Sequence, residues 1–270
     1  MAPTVLITGA SQGIGKATAL LFAKNGYDLV LASRRVEPLT AAAQEVQALG
    51  QKVLAVPCDV KDPQQIANLV NKTLAEYGSI DVLVNNAGIY SSGTVEDFSL
   101  EDWHQTIDTN LWGYIHTIHA LLPAMIARGS GTIVNLVSIA GKVPISYLVP
   151  YSTSKFAVAG LTESMHSELK PKGIHVCGIY PSVIRSSLLE RAIFRGKDEE
   201  DAAARRKQLE QVVSVPVVEK PEDVAKAVWD AVKNQRAEIL VGSASVSKAA
   251  YGLMPGFMQW LFRQGFKQKT

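Results

Sequence analysis

The chain has 270 residues, 47% of them hydrophobic, and a formal net charge of +2. That is enough to bury a full core as one α/β domain without disulfide or metal staples, and too weakly basic to suggest nucleic acid as a partner. No apolar run approaches the roughly eighteen residues of a membrane span, and no charged segment precedes an apolar one as in a signal peptide, so a cytoplasmic location is expected. Cys58 and Cys177 lie far apart without zinc or redox spacing and read as buried reduced thiols.

Thr4–Thr8 is a short β-branched run, read as a buried strand. Gly9-Ala10-Ser11-Gln12-Gly13-Ile14-Gly15 follows it, then a helical stretch from Lys16 to about Asn25. Strand, glycine turn and helix bring backbone N–H groups and a helix N-terminus up to a phosphate. The alternative is a tight turn without a ligand. The turn also spells Gly9-x-Ser11-x-Gly13, the nucleophile elbow of serine hydrolases. That elbow belongs mid-chain with an acid and a histidine downstream, and here it follows the first strand.

Asp28–Ser33 reads as the second strand and ends in Arg34-Arg35. In dinucleotide folds an acid at this strand end binds a ribose 2′-hydroxyl, whereas an arginine accommodates a 2′-phosphate. Ser33 and Arg34 therefore point to the phosphate, against the plainer reading of two surface arginines. A helix from about Glu37 to Leu49, a strand from Lys52 to Pro57 closed by Asp59-Val60, and a helix from Pro63 to Tyr77 come next. Asp81–Val84 is a fourth strand, ending in Asn85-Asn86-Ala87-Gly88. This alternation predicts a parallel sheet with helices on both faces.

Leu100 to about Arg128 reads as one long helical region with Asn110 inside it, a residue whose amide competes for backbone bonds. His116 and His119 are three apart on it, without a third metal ligand in pattern. Thr132–Ser138 is a strand, and a helix from Tyr151 to about Lys170 follows a mixed loop. Tyr151 and Lys155, four apart, share a helix face. An ammonium beside a phenol brings its proton transfer nearer neutral pH. Ser138, at the preceding strand end, is placed to hold a carbonyl oxygen beside that phenol. Ile174–Tyr180 is a strand stopped by Pro181. Ser186 to about Val213 reads as helical, its charged middle being either a solvated face or a mobile cover. A helix over Pro221–Asn234 and a strand over Glu238–Val241 complete the pattern.

These motifs together resemble the short-chain dehydrogenase/reductase family, in its compact single-domain branch. The resemblance runs from Thr4 to about Val241 through Thr8–Gly15, Asp59-Val60, Asn85–Gly88, Asn110-Leu111-Trp112-Gly113, Ser138 and Tyr151-x3-Lys155. It implies a Rossmann-type, doubly wound sheet of about seven parallel strands, and hydride transfer between a nicotinamide and a carbonyl or secondary alcohol. It implies Tyr151 as the proton carrier, Lys155 as the group that lowers the tyrosine pKa and holds the nicotinamide ribose, and Ser138 as the substrate anchor. Asn110 would distort its helix and hold a water on the proton path. The cofactor set it implies is Gly9, Ser11, Gln12, Gly13, Ile14, Gly15, Ser33, Arg34, Asp59, Val60, Asn86, Ala87 and Gly88, then Tyr151, Lys155, Pro181, Val183, Ile184 and Ser186. Two departures stand out. Ser182 replaces the family's usual glycine after Pro181, and Val137 stands where many members carry a second serine.

The expected protein is thus an oxidoreductase preferring NADP(H), with residues 1–242 as the nucleotide-binding catalytic domain, substrate-loop helices at 186–214, and a basic, apolar tail over 243–270. The expected pocket wall (Ile89-Tyr90, Val143–Val149 and Ser187–Phe194) is mostly apolar and favours a hydrophobic ketone or alcohol. A 3-oxoacyl thioester on a carrier protein is the alternative substrate, and a non-catalytic nucleotide sensor the alternative of another class. A homodimer or homotetramer is expected. In the tail, Phe257, Trp260 and Leu261 share a helical face among Lys248, Arg263, Lys267 and Lys269. Packing beside the cleft, ordinary core, and contact with an anionic membrane all stand as readings of it.

Overall fold

The computed structural model describes residues 2–185, 187–214 and 219–265. The chain begins with β1 (Thr4–Thr8), whose every side chain is buried. Val5 and Ile7 join one core cluster with Phe22 and Leu29, while Leu6 joins the other with Val30 and Leu83. A strand buried on both faces explains why its sequence is a continuous apolar run rather than an alternating one. Then follow α1 (Gly13–Lys24), β2 (Asp28–Ser33), α2 (Val36–Gln47), β3 (Val53–Pro57) and α3 (Pro63–Tyr77). Helix α3 shows why it starts and stops where it does. The Asp62 carboxylate accepts from the Gln64 and Gln65 amides at 2.8 and 3.2 Å, and Gly78 ends the helix at φ +75°.

The second half contains β4 (Val82–Asn85), β5 (Ser91–Ser92), α4 (Leu100–Ile107), α5 (Gly113–Arg128), β6 (Gly131–Leu136), α6 (Val149–Leu169) and β7 (Ile174–Pro181). It ends with β8 (Ile193–Phe194), α7 (Glu199–Ser214), α8 (Pro221–Asn234), β9 (Glu238–Val241), α9 (Ala244–Leu253) and α10 (Pro255–Gly265). Seven strands form one sheet in the order β3-β2-β1-β4-β6-β7-β9, every pairing parallel. Helices α1, α2 and α8 cover the face carrying Phe22, Leu39 and Val228; α3, α5 and α6 cover the face carrying Leu69, Tyr114 and Val158. The chain runs outward from β1 to β3, then returns to β4 on the other side of β1. That reversal opens a crevice at the carboxyl ends of β1 and β4, where doubly wound sheets bind ligands.

Three segments differ from the sequence expectation. The long helix over 100–128 is broken into α4 and α5 by a π turn at Asp108–Trp112, with Asn110 in it. Such a turn widens the helix by one residue and re-aims the side chains it contains. The stretch 186–213 is not one helix. A 3₁₀ turn at Ser187–Arg191 leads to β8, which pairs with β5, and only then does α7 begin. The Asp198 carboxylate accepts from the Asp201 amide at 2.8 Å and so delays that helix start. The tail forms α9 and α10, but core burial there is limited to Ala244 and Met258 among the described side chains. Phe257 and Trp260 stack on each other at 5.9 Å and stay about half exposed, which removes the ordinary-core reading.

Beneath the crevice runs a chain of buried polar side chains. Thr117 Oγ1 donates to Asn85 Oδ1 at 2.6 Å, Asn85 Nδ2 donates to Asn135 Oδ1 at 3.0 Å, and Asn135 Nδ2 donates to Thr162 Oγ1 at 2.9 Å. It ties α5, β4, β6 and α6 in one register, and each group depends on its neighbour for satisfaction. Asn135→Ala is therefore expected to cost about 1–3 kcal/mol, the penalty of unpaired buried amide and hydroxyl groups. A urea titration reads it as a lower midpoint at unchanged slope; an unaltered midpoint would count against the network.

Candidate active site

The crevice is a cleft of about 500 Å³ that runs from the β2 end to α7. At its floor the glycine turn is held by protein contacts. Gly9 sits at φ +66°, and a Cβ there would lie 2.9 Å from Asn86 Nδ2; a Cβ on Gly15 would lie 2.4 Å from the Gly9 carbonyl oxygen. Asn86 Nδ2 donates to the carbonyls of Thr8 and Gly9 at 2.9 and 3.1 Å. The Thr8 hydroxyl accepts from the Asn86 and Ala87 amides at 3.0 and 3.1 Å. The turn after β1 and the turn after β4 are thus one unit, and Asn86 is its pin as well as part of the cleft wall.

Of the residues expected to meet a dinucleotide, Gly9, Gln12, Gly13, Ile14, Ser33, Arg34, Asp59, Val60, Asn86, Ala87, Gly88, Tyr151, Lys155, Pro181, Val183 and Ile184 line the cleft. Ser11 and Gly15 do not. The Ser11 hydroxyl is buried and accepts from Ser33 at 2.9 Å, and Gly15 is needed for the close approach to Gly9. Ser186 lies outside the described residues. Ser33 has thus committed its proton to Ser11, which leaves the arginines as the donors at the β2 end. Arg34 Nη1 stands 4.0 Å from Asp59 Oδ2, and Arg35 hydrogen-bonds Gln12. The glycine turn, the amides at the start of α1 and these cations fit a dinucleotide, with the phosphates at the turn and the adenosine at the β2 end.

The expected catalytic residues gather at the end of β6. Tyr151 and Ser138 both line the cleft, and the Ser138 hydroxyl accepts from the Ala140 amide at 3.1 Å. Lys155 Nζ donates to the Leu136 carbonyl at 2.8 Å and lies 5.8 Å from the Tyr151 ring centroid. Asn110 is fully buried and does not line the cleft. Its Oδ1 accepts from the Ile89 amide at 2.8 Å, and its Nδ2 donates to the Ile89 carbonyl and to Ser154 Oγ, both at 3.0 Å. The π turn aims this carboxamide at Ile89 and α6, so it fixes the residue after Gly88 against the Tyr151 helix.

Electrostatically the site differs from the sequence expectation. Burial pushes the Tyr151 phenol up to about 12, with the Ser138 hydroxyl acting the other way. Burial pushes Lys155 down to about 7. The ammonium rests on a carbonyl rather than on the phenol, so desolvation governs both groups.

The end of the cleft expected to take the substrate is walled by Tyr90, Ile139, Ile145, Leu148, Leu188, Leu189, Leu209, Val212 and Val213. Within the stretch 143–149 expected to form the wall, Val143 is instead buried beneath α9 and Val149 is exposed; Ile145 and Leu148 face the cleft. Sequence reasoning expected substrate-loop helices at 186–214 but did not name Leu209, Val212 and Val213 of α7, which line the cleft. Their signal was a spacing of three and four at the end of a charged helix. Tyr114 was missed too. Its hydroxyl donates to the same Leu136 carbonyl at 2.9 Å, and it stands four residues from Asn110 on the buried face. Cys58 lines the arginine end of the cleft and Cys177 lies within β7; burial pushes their thiols up to about 11 and about 12.

The depressed Lys155 pKa has a sign that can be tested. Between pH 7 and its ordinary 10.5 the folded nucleotide-free protein holds fewer protons on Lys155 than the unfolded chain does, so stability rises with pH across that window. Tyr151 acts oppositely above pH 10, because its folded pKa is the higher one. The stability difference between wild type and Lys155→Met is expected to grow by about 1 kcal/mol per pH unit from pH 7 to about 9.5. Denaturant midpoints at several pH values measure it, and a flat difference would show the ammonium stays charged.

Comparison with known proteins agrees with this arrangement. Residues 3–198 match the family model described as short chain dehydrogenase. The chain is 33% identical over 254 residues to the ketoacyl reductase HetN of a Nostoc species, covering 93% of this chain and 82% of HetN. It is 32% identical over 249 residues to a cyclohexanol dehydrogenase of an Acinetobacter species, covering 91% and 93%. The structure of a short chain dehydrogenase/reductase from Burkholderia phymatum in complex with NAD superposes with a TM-score of 0.87 at 25% identity, covering 96% of this chain and 95% of that one. With most of its length matched in sequence and in fold, the chain belongs to the short-chain dehydrogenase/reductase family of oxidoreductases.

Proposed function

We propose that the protein interconverts a ketone and a secondary alcohol on an apolar substrate, with NADP(H) preferred over NAD(H). The observation that carries the reading is the meeting of Ser138, Tyr151 and Lys155 at one end of a cleft whose remaining wall is apolar. A bound nicotinamide supplies or accepts the hydride. The chain's own groups handle the oxygen. The Ser138 hydroxyl donates to the substrate oxygen, and Tyr151 delivers a proton to it in reduction or removes one in oxidation. A phenol held protonated by burial is the form that reduction needs. Lys155 holds the ribose and returns the proton to Tyr151, and Asn110 keeps the Gly88-Ile89 segment against α6. Tyr90 and the α7 side chains exclude water from the reacting carbon. Residues 1–242 form the catalytic domain in this reading, and the protein works in the cytoplasm.

Arg34 and Arg35 at the β2 end support the preference for the 2′-phosphate. The Burkholderia relative was solved with NAD, so the preference rests on these side chains and not on family likeness. HetN's name as a ketoacyl reductase favours a second substrate class, the 3-oxoacyl thioester. One experiment addresses these readings together. NADPH and NADH oxidation is followed over a panel of apolar ketones and acyl thioesters, with wild type and Tyr151→Phe. Wild type should use NADPH at least tenfold better, act best on the ketones, and lose ~10²–10⁴-fold in kcat in the mutant. Equal use of both nucleotides refutes the preference, faster thioester turnover reassigns the substrate, and unchanged turnover by Tyr151→Phe refutes the catalytic assignment.

The tail belongs to the same reading. Ala244 and Tyr251 of α9 pack on Ile139 and Val143, next to Ser138, and Trp260 and Arg263 of α10 adjoin Pro144 and Ile145. We assign it to the rim of the substrate end, where its apolar face meets a second subunit of a homodimer or homotetramer. No helix among the described residues is long and apolar enough to cross a membrane. Deletion of 253–270 should leave NADPH binding intact, lower kcat/KM on bulky ketones severalfold, and shift the sedimentation coefficient toward the monomer. Unchanged kinetics with lost binding to anionic liposomes would move the assignment to a membrane.

A further inference from the structure

The arginine end of the cleft holds one cation more than β2 provides. Arg191 ends the 3₁₀ turn of the substrate loop and lines the cleft together with Gln12, Ser33, Arg34 and Asp59. Its Nε is buried and donates to nothing among the described residues. Burial and then the neighbouring Arg35 and Arg34 push its pKa down, with Glu190 acting against them. The turn is pinned there on both sides. Glu190 Oε2 accepts from Gln12 Nε2 at 3.2 Å, and Gln12 in turn accepts from Arg35. Behind it, Arg206 of α7 donates to the Leu189 carbonyl at 2.9 Å.

Three guanidinium groups drawn together repel one another, and a buried N–H without an acceptor carries a desolvation penalty. The carboxylates near them are Glu190, which is engaged with Gln12, and Asp59, which faces Arg34. A dianion with several acceptor oxygens placed among the three resolves both penalties, and guanidinium is the side chain suited to it. The diphosphate has its own place at the glycine turn and the start of α1. The group left for the arginines is a monoester phosphate on the adenosine ribose.

We propose that Arg191 is a third ligand of the cofactor 2′-phosphate, beside Arg34 and Arg35, and that this contact fastens the substrate loop over the cleft. The proposal rests on the NADP(H) reading and extends it, because recognition at the adenosine end then orders the wall at the substrate end. Leu188 and Leu189, on the same turn, face the substrate side of the cleft.

Calorimetric titrations of wild type, Arg191→Met and Arg191→Lys with 2′,5′-ADP, 5′-AMP, NADPH and NADH test it. Arg191→Met should weaken 2′,5′-ADP and NADPH about ten- to hundredfold, leave 5′-AMP and NADH unchanged, and be partly rescued by Arg191→Lys. Tryptic cleavage after Arg206 and Lys207 should be slowed by 2′,5′-ADP in wild type and not in Arg191→Met. Equal weakening of NADPH and NADH would place Arg191 at the diphosphate and overturn the proposal. So would undiminished selectivity for 2′,5′-ADP in Arg191→Met, which leaves the NADP(H) reading standing. A wild type that fails to distinguish 2′,5′-ADP from 5′-AMP overturns the NADP(H) reading itself.

Discussion

A lysine that is only 4% exposed sets the terms for the rest of this structure. Taking an ammonium out of water is costly unless it is paired, and here the partner is a single backbone carbonyl, that of Leu136, at the last residue of β6. The same carbonyl also takes the Tyr114 hydroxyl, so α5, α6 and β6 must meet at one point. The Thr117–Asn85–Asn135–Thr162 chain directly below holds that meeting point in register. The Asn110 carboxamide does the same from the α4–α5 side, through Ile89 and Ser154. The polar interior is concentrated where the chemistry needs rigid geometry. The apolar clusters on the two faces of the sheet keep it there.

The cleft has two dissimilar ends. One is cationic and exposed, built by β2 and the turn at 187–191; the other is apolar, built by α7 and the loop after β6. The loop and α7 span both, and part of their attachment is polar. Arg195 forms a two-pronged ion pair with Asp102 at 2.6 and 2.8 Å, and Asp102 is also half of the α4 capping box. Arg205 lies over the Tyr147 ring at 4.9 Å. These polar contacts add to the backbone pairing of β8 with β5 and to the packing of Ile193 against Ile89 and Phe98.

The sheet was legible because buried parallel strands are apolar runs, and such runs are hard to mistake when short turns and helices separate them. The candidate trio was legible as a group because Tyr151 and Lys155 are local in sequence and Ser138 sits at a strand end. The π turn was half legible. Asn110 announced a disturbance, but what it bonds is Ile89, twenty-one residues away. Residues that act through tertiary neighbours left fainter traces. Asn135 and Tyr114 drew no functional reading from the sequence, and Arg191 fell within the 187–194 stretch expected as apolar pocket wall. Ser11 and Gly15 were assigned to the ligand by motif, whereas packing between turns accounts for both. The breakup of 186–213 was missed because composition favours helix throughout, and only pairing with Ser91-Ser92 makes Ile193-Phe194 a strand.

The two cysteines carry a separate consequence. Thiolate is the species that reacts with alkylating reagents, and burial suppresses it at both positions. Cys177 of β7 is fully buried in the cluster that includes Val224 and Val228 of α8, so a reagent reaches it only when that covered face of the sheet opens. Cys58 borders the cleft and becomes reachable when that end breathes. Maleimide capture of the native protein thus runs two clocks at once: a slow one on global unfolding, and a faster one that a bound nucleotide would stop.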